Sequence, residues 1–380
     1  MSAKRPLLEL HPGLADRIPV EPLATLPTPV ERLAPLEETG GPALWVKRDD
    51  LTSELYGGNK TRKLELILGK LAAFGQKRVL TFGFAGSNHA AATALFCEPL
   101  GIECTSMLMP QPPSRAVREN LLLGHARGAR LKLYPGLKTL ILGAVIFRTF
   151  NRGRLGSMIP MISAGGTTPE GNAAYVNAAF ELAAQVARGA CPEPDAIYVA
   201  AGSLGTAAGL IAGVKAAGLG TRVIPVGVTA RRFANSTALA KEIRRTLRFL
   251  RRRDPSFPRV EITPADAVVE GGYLGDRYGL FTAAGAAAME TARERAGMAL
   301  EGTYTAKAFA CFLDAARDPA NEGKNLMFWN TANSADISER VASVDYRELP
   351  EEFHRYFTEP VQPLDRPGEE DPGDSPHQRS

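Results

Sequence analysis

Short β-rich runs alternate with helical patterns along this chain, and the loops that follow the runs carry glycine. Arg78-Val79-Leu80-Thr81-Phe82 leads into Gly83-Phe84-Ala85-Gly86-Ser87-Asn88-His89, then an alanine-rich helical stretch over 90–99, then a second run over 103–109. Further on, 115–127 reads as a helix stopped by Gly128, 131–134 as a strand, and a helical pattern reaches about Asn151; 158–163 then leads to Ala164-Gly165-Gly166-Thr167-Thr168. This strand–helix alternation predicts an α/β fold of mainly parallel sheets with helices on their faces. In such sheets ligands bind beyond the C-terminal ends of the strands. The glycine loops are therefore the places to look for chemistry.

Three loops carry candidates. Tyr56-Gly57-Gly58-Asn59-Lys60-Thr61-Arg62-Lys63 follows a strand at 44–47 and runs into the helical pattern Leu64, Ile67, Leu68, Leu71. The two glycines allow a tight turn in which the backbone approaches a ligand, and the helix beyond favours an anion. A buried lysine loses its proton readily and reacts with carbonyls, so Lys60 is a candidate nucleophile; a surface lysine in a glycine turn has the same local pattern. Ser87 and Asn88 offer a hydroxyl and an amide to a polar ligand, and both are equally good helix caps. The third loop follows the strand 196–201: Gly202-Ser203-Leu204-Gly205-Thr206-Ala207-Ala208-Gly209. Backbone N–H groups and two hydroxyls converging at a helix start suit a phosphate. The loop matches neither the P-loop nor the dinucleotide fingerprint, and small residues here also serve close helix–strand packing.

Composition narrows the rest. A chain of 380 residues fits two to three domains or one two-lobed enzyme. A net charge of +4 is too small to argue for nucleic acid. The arginines of 236–253 (Arg244, Arg245, Arg248, Arg251, Arg252, Arg253) read as a solvated helix face. Cys97, Cys104, Cys191 and Cys311 have no metal-binding spacing, so no metal is expected. No signal sequence and no membrane span is expected, which leaves a cytoplasmic protein as the default. Residues 1–43 read as an extended, proline-broken arm, and 349–380 as a disordered acidic tail.

The order and spacing of these pieces resemble a known family. Lys47-Arg48-Asp49-Asp50-Leu51, the Gly57-to-Glu65 block, Ser87-Asn88-His89 and the Gly202 loop look like the pyridoxal-phosphate enzymes of the tryptophan-synthase-β fold type. Within these they are most similar to 1-aminocyclopropane-1-carboxylate deaminase and D-cysteine desulfhydrase. The resemblance runs from about residue 8 to 332. It implies a two-lobed, three-layer α/β/α fold, with 1–62 and 173–348 forming a large cofactor-binding domain and 63–172 a small one. It also implies a homodimer acting on a small amino acid, with neither nucleic acid nor membrane as partner.

The resemblance assigns roles as well. Lys60 would bind pyridoxal 5′-phosphate covalently and move the substrate's α-proton. Asn88 would bond the ring oxygen. Gly202, Ser203, Leu204, Gly205 and Thr206 would hold the phosphate, with Lys63 helping. Ser87 would contact the substrate carboxylate, and Tyr278 and Tyr304 would face the ring and substrate. Thr305 stands where the deaminases carry a glutamate against the pyridine nitrogen and the desulfhydrases a threonine. The expected reaction is therefore α,β-elimination of the D-cysteine desulfhydrase kind, giving pyruvate, ammonia and sulfide or a thiol, with deamination of the cyclopropane acid or racemisation as the alternatives. A cofactor-binding or interaction protein without turnover is the reading from another class. Gly86 replaces a usual glutamine and is expected to enlarge the pocket. Ala90-Ala91, Ala306 and Ala332-Asn333 also depart from the family pattern.

Overall fold

The computed structural model describes residues 5–151 and 158–365. Two short helices, α1 (Pro6–Leu10) and α2 (Pro12–Ala15), come first. Each starts on a proline, which is preorganised for a first helical turn. Leu7, Leu14 and Ile18 of this region are buried in the core. The expected extended arm is thus corrected within its described part: the prolines that forbid a long helix start two short ones.

The strands divide between two sheets. The first has the order β1 (Val30–Arg32), β2 (Ala43–Arg48), β9 (Asn325–Asn330), β7 (Ala196–Ala201), β8 (Arg222–Gly227). Only β1 runs antiparallel to its neighbour. The second sheet is wholly parallel, in the order β5 (Arg130–Leu133), β4 (Glu103–Met109), β3 (Arg78–Phe84), β6 (Met161–Ile162). The chain enters this sheet through α3 (Asn59–Ala73), and α4 (Asn88–Cys97), α5 (Arg115–Ala126) and α6 (Leu137–Phe150) are its crossovers. It leaves through α7 (Pro169–Ala187) and returns to the first sheet.

On one face of the first sheet, α7, α8 (Gly205–Ala216) and α9 (Ser236–Arg253) bury Tyr175, Leu210, Ile243 and Leu250. On the other, α10 (Ala283–Ala296) and α11 (Thr305–Ala316) bury Phe309 and Phe312 against Phe328. Both sheets are therefore covered by helices, the three-layer α/β arrangement expected. On α9, Leu239, Ile243, Leu247 and Leu250 face the core, while Arg244, Arg245, Arg248 and Arg252 lie on the exposed side. Among the described residues, no helix is long and apolar enough to cross a membrane.

The C-terminal part differs from expectation. Ile337, just before α12 (Ser338–Val341), and Val341 at its end, then Leu349, Phe353 and Tyr356 of and before α13 (Arg355–Thr358), are buried with Val117 and Leu121 of α5. The segment from 337 thus packs on the smaller sheet, not the larger. The tail expected to be disordered from 349 is folded through 365, because apolar residues scattered among its acids find a ready surface; 366–380 lie outside the described residues.

Strand order places the site. In the smaller sheet β4 and β6 lie on opposite sides of β3, and in the larger β8 and β9 lie on opposite sides of β7. Crossovers diverge at these points and leave a crevice at the strands' C-terminal ends. The loops opening there are those after β3, β6, β7 and β9.

A buried ion network fixes α3 against both β2 and α7. Arg62 donates from Nε and Nη2 to the two Asp49 oxygens (3.0 and 2.7 Å) and from Nη1 and Nη2 to Glu181 (2.9 Å each). Lys47 donates to Glu181 at 2.5 Å, and Tyr175 and Trp329 each donate to Asp49 at 2.8 Å. Two cations balance two carboxylates. Burial raises the Glu181 carboxyl, but Arg62 and Lys47 outweigh it and bring it to about 2. Removing one partner of such a set leaves an uncompensated buried charge. Asp49→Asn should lower stability in equilibrium urea unfolding by about 3–5 kcal/mol. Arg293→Ala, which breaks an exposed pair with Glu294, should change it by less than about 1 kcal/mol. Equal effects would show that the network is no more than a surface-like contact.

Candidate active site

Lys60 lies in the first turn of α3, which starts at Asn59, ahead of the apolar pattern that begins at Leu64. The turn before it is held by the end of β9. Gly58 has φ +85°, and a Cβ on it would sit 2.6 Å from the Thr331 carbonyl oxygen and 2.9 Å from the Ala332 carbonyl carbon. The Gly57 N–H donates to Asn333 Oδ1 at 2.6 Å, and Thr52 Oγ1 donates to the Gly58 carbonyl at 2.9 Å. The glycines thus admit the chain's own backbone, Gly58 that of 331–332 and Gly57 that of Asp50 and Ser334, where the sequence suggested room for a ligand. Lys60 itself is half-buried at the cleft. Desolvation pulls its ammonium down to about 8, so a substantial neutral fraction exists near physiological pH.

Around Lys60 the loops after β6 and β7 meet. A Cβ on Gly165 would lie 3.8 Å from Lys60 Nζ and 2.9 Å from Ser203 Cβ. Thr167 Oγ1 lies 3.0 Å from the Ser203 carbonyl and 2.8 Å from Ser203 Oγ. Asn59 Nδ2 donates to Thr206 Oγ1 at 3.0 Å, and Lys63 Nζ donates to the Gly165 carbonyl at 3.0 Å. Leu204 is the only described non-glycine residue with positive φ (69°). This costly conformation turns the chain into α8, whose start no side chain caps. The first N–H groups of α8 are therefore offered to a ligand.

The electrostatics ask for an anion. Burial first, then Lys60, pushes the Lys63 ammonium well below its usual range; Glu242 pulls the other way. His89 is buried with neither ring nitrogen partnered. Burial, then Lys60 and Lys63, hold it well below the ordinary imidazole value. Unlike Arg62, these groups lack a surrounding set of carboxylates. A dianion at the α8 terminus would supply the missing charge and use the exposed donors.

On the other side of Lys60, Asn88 Oδ1 takes hydrogen bonds from Asn120 Nδ2 (2.7 Å) and Tyr56 Oη (3.2 Å). Its Nδ2 is thereby turned outward as a donor, the group a phenolate-type ring oxygen needs. Ser87 is the N-cap of α4, accepting the Ala90 N–H at 3.2 Å. The capping reading is therefore realised, and the hydroxyl proton is still available.

Tyr278 stacks on Phe84 at 4.1 Å between centroids, and its hydroxyl bonds that of Tyr304. Burial raises both phenols above their ordinary value, so both stay protonated. Tyr304 also borders the loop after β7: a Cβ on Gly202 would lie 3.7 Å from its Cε1. Thr305 Oγ1 accepts the Glu301 N–H at 2.8 Å. Glu301 accepts the N–H groups of Thr303 (2.7 Å) and Tyr304 (3.0 Å), which shapes the start of α11.

Thr167, His89, Asn120 and Glu301 are additions to the residues singled out in the sequence. Thr167 carried a signal, a hydroxyl directly after a glycine pair at a strand end. Asn120 is the one polar side chain beside Leu121 on a buried helix face. Gly86 corrects an expectation. A Cβ there would meet Val117 Cγ2 at 2.6 Å and Gln111 Nε2 at 2.9 Å, and the Gly86 N–H donates to Gln111 Oε1 at 3.0 Å. The space opened by this glycine is filled by Gln111 and Val117 and does not enlarge the cleft.

Along most of its length the chain is similar to known proteins. The profile of the pyridoxal-phosphate dependent enzyme family matches residues 22–331. Nocardicin C-9′ epimerase of Nocardia uniformis subsp. tsuyamanensis is 34% identical over 330 residues, spanning 85% of this chain and 95% of that protein. D-cysteine desulfhydrase of Yersinia enterocolitica is 30% identical over 295 residues, spanning 76% and 85%. The crystal structure of an ACC deaminase homologue superposes with a TM-score of 0.72 at 29% identity, covering 87% of this chain and 97% of that one.

Covalent attachment of added pyridoxal phosphate to apoprotein, followed by visible absorbance, tests Lys60. Only the neutral amine attacks, so the rate should rise about tenfold per pH unit below the Lys60 value of about 8 and level off above it. Lys60→Ala should give no such band. A pH-independent rate, or a band in the variant, would remove Lys60 from this role.

Proposed function

The chain belongs to the pyridoxal-phosphate-dependent enzymes, and on that premise we propose that it removes the α-proton of a free amino acid and then expels a β-substituent. Bound at this site, pyridoxal phosphate supplies the electron sink for that proton's departure. The observation that carries the reading is Lys60: a half-buried amine, shifted to about 8 by burial, beside an uncapped helix start and a second buried lysine. Such an amine is near the optimum for moving protons at neutral pH.

In this reading the N–H groups of Gly202 to Thr206, with Ser203 and Thr206 hydroxyls and Lys63, hold the phosphate. Asn88 Nδ2 holds the ring oxygen and thereby fixes the ring plane. Ser87 and the N-terminus of α4 take the substrate carboxylate. Tyr278 and Tyr304, both protonated, face the substrate. Thr305 is the residue against the ring nitrogen. Its hydroxyl accepts the Glu301 N–H at 2.8 Å and donates to the Glu301 carbonyl at 3.3 Å, so it sets a neutral group, without the charge of a carboxylate, against the nitrogen. A neutral partner supports a weaker electron sink, which suits a β-carbon with a good leaving group. For D-cysteine the C–S bond breaks, the sulfur leaves with the electron pair, and water converts the released enamine to pyruvate and ammonia.

Epimerisation is the second reading, supported by the 34% identity to an epimerase over 95% of its length. It uses the same α-proton removal and returns the proton to the opposite face, with Ser87 or Tyr304 as the second group. Both readings describe a homodimeric cytoplasmic enzyme, for which light scattering and cell fractionation are the checks.

Proton NMR of holoenzyme with D-cysteine in D₂O distinguishes the outcomes. Elimination predicts loss of the α-proton signal together with pyruvate and sulfide. Exchange with inversion and no pyruvate, seen across a panel of amino acids of both hands, would transfer the assignment to epimerisation. No exchange with any of them would sink both.

A further inference from the structure

The segment after residue 331 lies beyond the family match, yet it reaches the cleft. It is pinned first to the smaller sheet's side. Phe353 and Tyr356 are fully buried there, and Arg118 of α5 donates from Nε to the Tyr356 carbonyl and from Nη2 to the Glu359 carbonyl, each at 2.8 Å. Asp365 Oδ2 accepts the Arg115 N–H at the start of α5, at 2.5 Å. Between these anchors the chain passes over the rim of the cleft, and Gln362 points across it.

Gln362 is 8% exposed and makes three hydrogen bonds to segments distant in the chain, besides the local one in which its carbonyl accepts the Asp365 N–H at 3.0 Å. Its backbone N–H donates to the Pro113 carbonyl at 3.1 Å. Its Oε1 accepts the Phe281 N–H at 2.7 Å, and its Nε2 donates to the Gly279 carbonyl at 3.0 Å. These two backbone groups are a donor and an acceptor, which fixes the amide's orientation. They also explain the residue type. Glutamate would set an oxygen against the Gly279 carbonyl, and an aliphatic side chain would leave both buried groups unpaired.

The clamped residues immediately follow Tyr278. Gly279, at φ +83°, lies so close to the opposite rim that a Cβ would be 3.0 Å from Pro112 Cδ. The Phe281 ring fills the space beside Gly302, two residues before Tyr304. We infer that Gln362 is a positioning residue: it locks the 279–281 backbone to the rim of the smaller sheet and so holds Tyr278 against Tyr304 and Phe84 across the cleft. The inference rests on the reading of Tyr278 as a substrate-facing tyrosine. Gln362 does not touch the reacting groups; it acts through Tyr278.

The test uses full-length holoenzyme carrying Gln362→Ala, Tyr278→Phe, both together, and Leu364→Ala as a control on the exposed side of the same segment. Gln362→Ala should lower kcat/KM for the amino acid about 10- to 100-fold, the cost of a small misplacement, with cofactor content unchanged. The double variant should be no slower than Tyr278→Phe, because residues acting through one another are not additive. Leu364→Ala should match the native enzyme. Multiplicative effects in the double variant would overturn the inference.

Hydrogen–deuterium exchange gives a reading independent of turnover. In Gln362→Ala the amides of 279–281 should exchange faster while those of 202–206 do not change. Unchanged protection at 279–281 would refute the clamp even if activity fell. If native enzyme turns over no amino acid, the proposed function fails, and the clamp is decided by exchange alone. Should Gln362→Ala not fold, Gln362→Glu keeps the acceptor for Phe281 and loses only the donor to Gly279, and the same two measurements apply.

Discussion

Arg62 is the residue on which the site's geometry depends. It lies two residues past Lys60, is 1% exposed, and is gripped by Asp49 from the end of β2 and by Glu181 from the middle of α7. The guanidinium plane and two carboxylates fix direction as well as distance. Helix α3 therefore has one rotation and one height relative to the larger sheet, although most of its apolar face packs on the smaller one. Burying four charges brings little net stability. What the set contributes is a steep penalty for any other placement of α3, and hence of Lys60.

The two groups of buried cations differ in a way that separates scaffold from site. Lys47 and Arg62 are matched by Glu181 and Asp49, with Tyr175 and Trp329 completing the carboxylate's hydrogen bonds. Lys60 and Lys63, one helical turn apart on the same helix, lack such a match and are both shifted toward the neutral form by burial. His89 is left without a partner on either nitrogen. Folding alone gains nothing from this arrangement. A phosphate at the start of α8, as proposed, would supply the negative charge that this arrangement lacks.

The sequence carried the parts of this design that are local. Strand–helix alternation, the glycine loops, Lys60 and the Gly202 loop depend on neighbours within a few residues, and the structure puts Lys60, Lys63, Ser203 and Thr206 in one place. What escaped is long-range. Gly86 looked like open space because its filling atoms come from Val117 and Gln111. Gly58 looked like part of a ligand turn because the backbone it admits lies at 331–332. The acidic composition after 349 suggested disorder, since composition does not show that Leu349, Phe353 and Tyr356 reach α5. In each case the local pattern was read correctly, and the missing information was which distant surface it met.

The cleft is closed from three directions that share no secondary structure. Phe84 comes from the end of β3, Tyr278 from the loop before α10, and Tyr304 from the start of α11. A stacked ring and one hydroxyl pair are weak joints, about 1 kcal/mol each. They cannot by themselves hold two sheets at a fixed distance. The rigid joint on one side is the backbone contact of Gly58 with 331–332, and on the other the Gly279–Pro112 contact backed by Gln362. Between them the aromatic contacts need only set the rings, not the spacing of the lobes. Precision at Lys60 comes from the buried ion network, and the placement of the tyrosines comes from weak contacts bracketed by strong ones.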